Sequence, residues 1–221
     1  MFVKICGITS EEDALLAVAM GADAVGFVFA PSTRQIAPSL ARDIARRLPP
    51  EILTVGVFRD EAPQRVVEIV NTAGLRAAQL HGHETIEQTT WVHERVAIVI
   101  KAFSSGDPAL EQTDLFGTDA ILIDSSTPGS GELFDWSLAE GAPVGRRVIL
   151  AGGLTPDNVG DAITRVHPWG VDVATGVEAS PGHKDPRLVR AFVRSARAAA
   201  PKGYRGDDDE RPFDWQLEDL P

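Results

Sequence analysis

The sequence predicts a single (β/α)8 TIM barrel of the α/β class, with an acidic C-terminal tail. Three observations point there. Short apolar, β-branched segments alternate with helical patterns along the chain. The alternation repeats about every 25 residues, which leaves room only for short loops, and it occurs eight times, the number of parallel strands that closes into a barrel. An open, doubly wound sheet is the main competing arrangement.

The strand segments are 3–8, 24–29, 53–58, 77–81, 97–103, 120–124, 147–151 and 170–174. Helical patterns occupy 11–20, 39–48, 63–73, 85–94, 156–166 and 186–199. Several open on a Ser, Thr or Asp cap or on a proline in the first turn, and Thr155-Pro156-Asp157 is the clearest such start. The fifth and sixth helical units, around 108–115 and 135–139, are short and weakly patterned. Residues 1–202 therefore form the barrel and residues 203–221 a tail. From Tyr204 onward the tail carries seven acidic residues against two arginines. Its Phe213, Trp215 and Leu217 could dock on the body or on a partner, or the tail could be a free appendage.

Side chains alternate faces along a strand, so parity sorts the barrel interior from the helix-facing side. Val3 and Ile5 oppose Lys4 and Cys6; Ala78 and Leu80 oppose Gln79 and His81; Ile121 and Ile123 oppose Leu122 and Asp124; Val171 and Val173 oppose Asp172. In the fifth strand the same rule turns Ile98 and Ile100 toward the helices and Lys101 inward. Lys4, His81, Lys101, Asp124 and Asp172 would then converge at one end, where buried charge requires a hydrogen-bonded network or a ligand. A purely structural ion-pair network is the plainer alternative.

Composition bounds the function. Of 221 residues, 43% are apolar and 24% charged, as in an ordinary globular domain. The net charge of -11 and pI near 4.9 disfavour nucleic acid and anionic membrane surfaces as partners, since both require a basic face. No signal-peptide pattern or membrane-length apolar run is present in the sequence. The single cysteine fits a reducing compartment, so a cytoplasmic location is expected. The oligomeric state is open between monomer and homodimer.

That cysteine, Cys6, ends the first strand, where open α/β architectures present side chains to ligands. It is a candidate nucleophile or base, although buried cysteines usually act as small hydrophobes. The seventh strand leads into Gly152-Gly153 and the eighth into Thr175-Gly176. Glycine lets backbone N–H groups approach a ligand, and the loops after strands seven and eight are the usual phosphate site of this barrel. In the second loop, Arg34 could pair bidentately with a carboxylate. The sixth loop, with Pro128-Gly129-Ser130-Gly131, is small and flexible enough to cover a ligand, and could equally be a plain linker.

An ordered set of motifs from residue 2 to about 198 resembles the phosphoribosylanthranilate isomerase family of tryptophan biosynthesis. They are Lys4-Ile5-Cys6-Gly7, Gly26-Phe27 with Arg34, Val55-Gly56-Val57-Phe58, Gln79-Leu80-His81-Gly82, Phe134-Asp135-Trp136, Leu150-Ala151-Gly152-Gly153-Leu154, Val171-Asp172-Val173, Gly176-Val177-Glu178 and Gly182-His183-Lys184-Asp185. The resemblance implies an Amadori rearrangement of N-(5′-phosphoribosyl)anthranilate to the aminodeoxyribulose phosphate, with Cys6 as general base and Asp124 as general acid. It places Arg34 on the anthranilate carboxylate, His81 and Asp172 in the pocket lining, and Gly152, Gly153, Thr175 and Gly176 on the phosphate. It implies neither a metal nor an organic cofactor. The chain departs from the family pattern in its shorter sixth loop and in Ala174-Thr175-Gly176, where the family often has Ser-Ser-Gly. A divergent isomerase of another phosphorylated aminosugar and a non-catalytic binding barrel are the competing readings.

Overall fold

In a computed structural model, which describes residues 1–124 and 146–201, eight parallel strands close on themselves in chain order. They are β1 Phe2–Cys6, β2 Ala24–Val28, β3 Leu53–Phe58, β4 Ala77–Leu80, β5 Ile98–Ser104, β6 Ala120–Asp124, β7 Val148–Ala151 and β8 Gly170–Val173. The deciding pairing is β1 with both β2 and β8, through Cys6 opposite Gly26 and Lys4 opposite Asp172. An open sheet would leave β1 one of those partners.

The helices on the outside are α1 Glu11–Ala19, α2 Pro38–Ala45, α3 Pro63–Ala73, α4 Ile86–His93, α5 Val159–Val166 and α6 Pro186–Ala199. Their starts follow from local chemistry. Ser10 accepts from the Asp13 amide, Thr85 and Gln88 cap each other's backbone reciprocally, and Asp185 accepts from the amides of Arg187 and Leu188 ahead of Pro186. Each such cap stabilises its helix by about 0.5–2 kcal/mol. The weakly patterned fifth unit is a 3-10 segment, Pro108–Phe116, with a non-helical residue at Gln112. The sixth unit (135–139) and the tail (203–221) lie outside the described residues, as do Ser130 and Gly131.

Two expectations need correction. The helix after β7 begins at Val159, with Asn158 at its N-cap. Thr155 instead opens a turn, in which Asn158 Oδ1 accepts from the Thr155 amide and Asn158 Nδ2 donates to the Gly153 carbonyl. Parity also fails in β5: Ile98, Ile100 and Ala102 pack in the barrel interior with Phe2, Leu53 and Leu122, while Val99 joins the outer core. Lys101 therefore faces outward. Its ammonium is buried, donating to Glu84 at 3.0 Å and to the Gly82 carbonyl at 2.7 Å.

The lower half of the barrel is sealed by apolar side chains, with Phe2 stacked on Trp169 at 4.6 Å. Gly170 is required there, because a β-carbon would come within 2.9 Å of the Phe2 ring. Lys4, Gln79, His81, Asp124 and Asp172 lie toward the C-terminal mouth, while Arg147 lies against the Trp169 ring at the opposite end. Below the mouth, Arg197 of α6 is paired with Asp23, which also accepts from the Val3 amide, tying the last helix to the first strands.

Candidate active site

Cys6 and Asp124 are the last residues of β1 and β6, and both stand on the inner face. His81 follows the end of β4, and Asp172 lies one residue before the end of β8. Four of the five charged or polar groups expected to converge do so, and Lys101 does not. The four divide into two pairs rather than one network.

The first pair sits beneath Cys6. Lys4 is fully buried and donates to Asp172 Oδ1 at 2.9 Å. Burial disfavours its charge, but Asp172 and the neighbouring Cys6 outweigh this and raise its pKa, so Lys4 is an ammonium. Cys6 is 7% exposed. Burial pushes its thiol above the ordinary range despite the opposing charges of Lys4 and Lys184, with Asp172 adding to the rise. Desolvation therefore outweighs the thiolate-favouring charge of Lys4. Gly26, opposite Cys6, makes this packing possible: a β-carbon would lie 2.8 Å from Cys6 Sγ and 3.2 Å from Lys4 Nζ.

The second pair is His81 and Asp124, with imidazole Nε2 3.1 Å from Asp124 Oδ2. Both side chains are one-third exposed, so they face the mouth. The strand end carrying His81 is fixed from outside. Its amide donates to the Phe58 carbonyl, and Lys101 grips the carbonyls of Leu80 and Gly82 on either side.

Across the mouth, Arg34 lies over Gly7, whose φ of 75° leaves open the space that a β-carbon would take from the Arg34 chain. Arg34 Nε and Nη2 each donate to Glu178 at 2.7 Å, and Nη2 also reaches Thr175 Oγ1 at 3.2 Å. Glu178 begins a small hairpin, Glu178–Ser180 with His183–Lys184, that follows β8. Burial works against its charge, yet hydrogen bonds from Arg34 and Lys184 hold its pKa below the ordinary carboxylate value. Lys184 is itself buried and donates to the Ala174 carbonyl at 3.1 Å, one residue before Thr175. Glu178 and Lys184, which the motif comparison quoted without a role, thus link Arg34 to the loop after β8.

That loop and the one after β7 are pressed together. Gly152 and Gly153 have φ of 86° and 63°, and a β-carbon at Gly176 would run into the Leu154 carbonyl. Gly152, Gly153, Thr175 and Gly176 therefore form one glycine-lined edge of the mouth. Among the described residues no group of three or more His, Cys, Asp or Glu is placed to hold a metal ion, and no helix is long and apolar enough to cross a membrane.

The family model for N-(5′-phosphoribosyl)anthranilate isomerase matches residues 3–195. The chain belongs to that family. It is 50% identical over 204 residues to the N-(5′-phosphoribosyl)anthranilate isomerase of Desulforudis audaxviator, covering 89% of this chain and 98% of the relative. The crystal structure of phosphoribosyl anthranilate isomerase from Thermotoga maritima superposes with a TM-score of 0.83 at 45% identity, covering 90% of this chain and 99% of that one. A phosphoribosyl anthranilate isomerase in complex with reduced 1-(o-carboxyphenylamino)-1-deoxyribulose 5-phosphate matches with a TM-score of 0.79 at 43% identity, with the same coverage. The chain is thus a phosphoribosylanthranilate isomerase-type (β/α)8 enzyme of tryptophan biosynthesis.

Proposed function

We propose that Cys6 and Asp124 carry the two proton transfers by which N-(5′-phosphoribosyl)anthranilate is rearranged to 1-(2-carboxyphenylamino)-1-deoxyribulose 5-phosphate. The observation that supports this is their placement. Each ends a strand on the inner face of one mouth, and each has its own polar support, Lys4 and Asp172 for the thiol and His81 for the carboxyl.

Asp124 gives its proton to the furanose ring oxygen as the C1′–O bond breaks, and the anthranilate nitrogen lone pair forms the iminium. The Cys6 thiolate then removes the proton from C2′, and those electrons neutralise the iminium to give an enolamine. Transfer of the enol proton to C1′ yields the ketose. A buried thiol with a raised pKa is a strong base once ionised, and Lys4 supplies the adjacent positive charge. Gly152, Gly153, Thr175 and Gly176 receive the phosphate, Arg34 receives the anthranilate carboxylate, and His81 and Asp172 line the space between. Arg34 Nη1 is the edge of the fork left for that carboxylate, since Nε and Nη2 are held by Glu178. The chemistry belongs in a reducing cytoplasm, where the single thiol stays free.

The test is loss of anthranilate fluorescence when purified protein meets freshly made phosphoribosylanthranilate. Wild type consumes it, whereas Cys6→Ala and Asp124→Asn each lower kcat by several orders of magnitude with circular dichroism unchanged. Near-wild-type turnover in either variant overturns the assignment, and turnover confined to a different phosphorylated aminosugar makes the chain a divergent isomerase.

A further inference from the structure

We propose that Gln79 is a positioning residue for this reaction: its buried amide determines which ring nitrogen of His81 carries the proton, and so the direction of the hydrogen bond between His81 and Asp124. The proposal rests on the reading of Asp124 as the acid.

Gln79 lies on the inner face of β4, two residues before His81 and on the same side, and is 1% exposed. Its Nε2 stands 2.9 Å from His81 Nδ1. With the amide turned this way its NH2 group only donates, so Nδ1 accepts. A neutral imidazole that accepts at Nδ1 carries its proton on Nε2. That nitrogen is the one 3.1 Å from Asp124 Oδ2, so the imidazole donates to the carboxyl. A proton on Nδ1 would point at another donor.

Two consequences follow for Asp124. With Oδ2 accepting from His81, the proton that Asp124 delivers resides on Oδ1. As that proton leaves, the new carboxylate already has a donor aimed at it, and preorganised donors act where charge develops. The Phe58 carbonyl and Lys101 fix the backbone on both sides of His81, which holds the imidazole beside Asp124. Gln79 also leaves its own Oε1 buried without a hydrogen-bond partner among the described residues. An apolar side chain of similar length would fill the same interior without that cost, so packing alone does not account for an amide here.

The experiment is 15N NMR of the ring nitrogens in protein labelled at its five histidines, with His81→Asn used to assign the His81 signals. Wild type should show the Nε2–H tautomer. In Gln79→Glu an acceptor faces Nδ1, so the ring should move its proton there or become imidazolium, and kcat should fall about tenfold or more with KM little changed, the order expected when a hydrogen bond to a charged group is lost. Gln79→Met, close in volume, should give mixed tautomers and a smaller loss of kcat. A wild-type Nδ1–H tautomer overturns the proposal, as does a switched tautomer with unchanged kcat. Should Gln79→Glu fail to fold, wild type and Gln79→Met decide on the same criteria. Asp124→Asn separates the two readings: retained turnover there refutes Asp124 as the acid, while the His81 tautomer is read independently of activity.

Discussion

Glu178 holds Arg34 by two parallel hydrogen bonds of 2.7 Å, although 144 residues separate them and one lies after β2, the other after β8. The guanidinium is therefore aimed before any ligand arrives. Through Lys184 the same carboxylate is tied to the Ala174 carbonyl, so the proposed carboxylate and phosphate ends of the pocket share one buried support.

Glu178→Gln tests that support. The amide keeps the shape and one acceptor but loses the charge that orients Arg34, and charge-assisted hydrogen bonds contribute about 1.5–3 kcal/mol. KM for phosphoribosylanthranilate should rise about tenfold or more while kcat changes little. The preference for the substrate over an analogue lacking the carboxylate should narrow in parallel. An unchanged KM would mean that Arg34 is aimed without Glu178.

The Cys6 titration supplies the second prediction, because the chain's only cysteine makes any thiol reagent specific for it. Burial raises the thiol pKa, with Asp172 contributing in the same direction and Lys4 opposing. Alkylation by iodoacetamide should therefore increase with pH through a midpoint above the free-thiol value of about 8.5, and kcat/KM should rise over the same window. Asp172→Asn removes a negative charge beside the thiol and should move that midpoint down. A midpoint that stays in place, or moves up, refutes the electrostatic account of this pair.

Much of this arrangement was legible in the sequence, and the failures have physical causes. Parity placed Lys4, Cys6, His81, Asp124 and Asp172 inward, because in those strands aliphatic and polar residues occupy opposite faces. It failed in β5, where both faces are buried: Ile98 and Ile100 fill the interior as readily as Val99 fills the outer core. Nothing near Lys101 in the sequence announces Glu84 as its outward partner. Thr155-Pro156-Asp157 looks like a helix start, yet Asn158 uses its side chain on Gly153 and Thr155 and delays the helix to Val159. Parity turned Gln79 inward and Glu178 was visible only as a motif letter, but the roles of both depend on a ring nitrogen and an arginine fork that only the fold brings near.

Lys101 gives the third prediction. It forms a buried ion pair with Glu84, whose carboxylate also accepts from the amides of Asp60 and Gly82. Lys101→Met leaves a buried carboxylate without its cation, a change that typically costs about 3–5 kcal/mol. The urea midpoint should fall accordingly, and turnover should drop as well because Lys101 holds the carbonyls flanking His81. Lys101→Met combined with Glu84→Gln should recover part of the stability. No recovery would show that the two residues act independently.

The tail gives the last prediction. The family match ends at residue 195, and the described barrel runs through α6 to Pro201 with its first and last strands paired. Closure of the barrel, the glycine-lined edge and both proposed proton-transfer groups all lie within those residues. A chain truncated after Lys202 should therefore keep kcat and KM within a few-fold and lose little in melting temperature, because the buried contacts that stabilise a domain are retained. The competing idea is that Phe213, Trp215 and Leu217 cover an apolar surface of the barrel or of a second copy. Truncation would then expose that surface and promote association or lower the melting temperature. Kinetics, thermal melts and sedimentation of the truncated protein decide between them: a collapse of activity or stability, or a change in molecular mass beyond the removed residues, makes the tail part of the working structure.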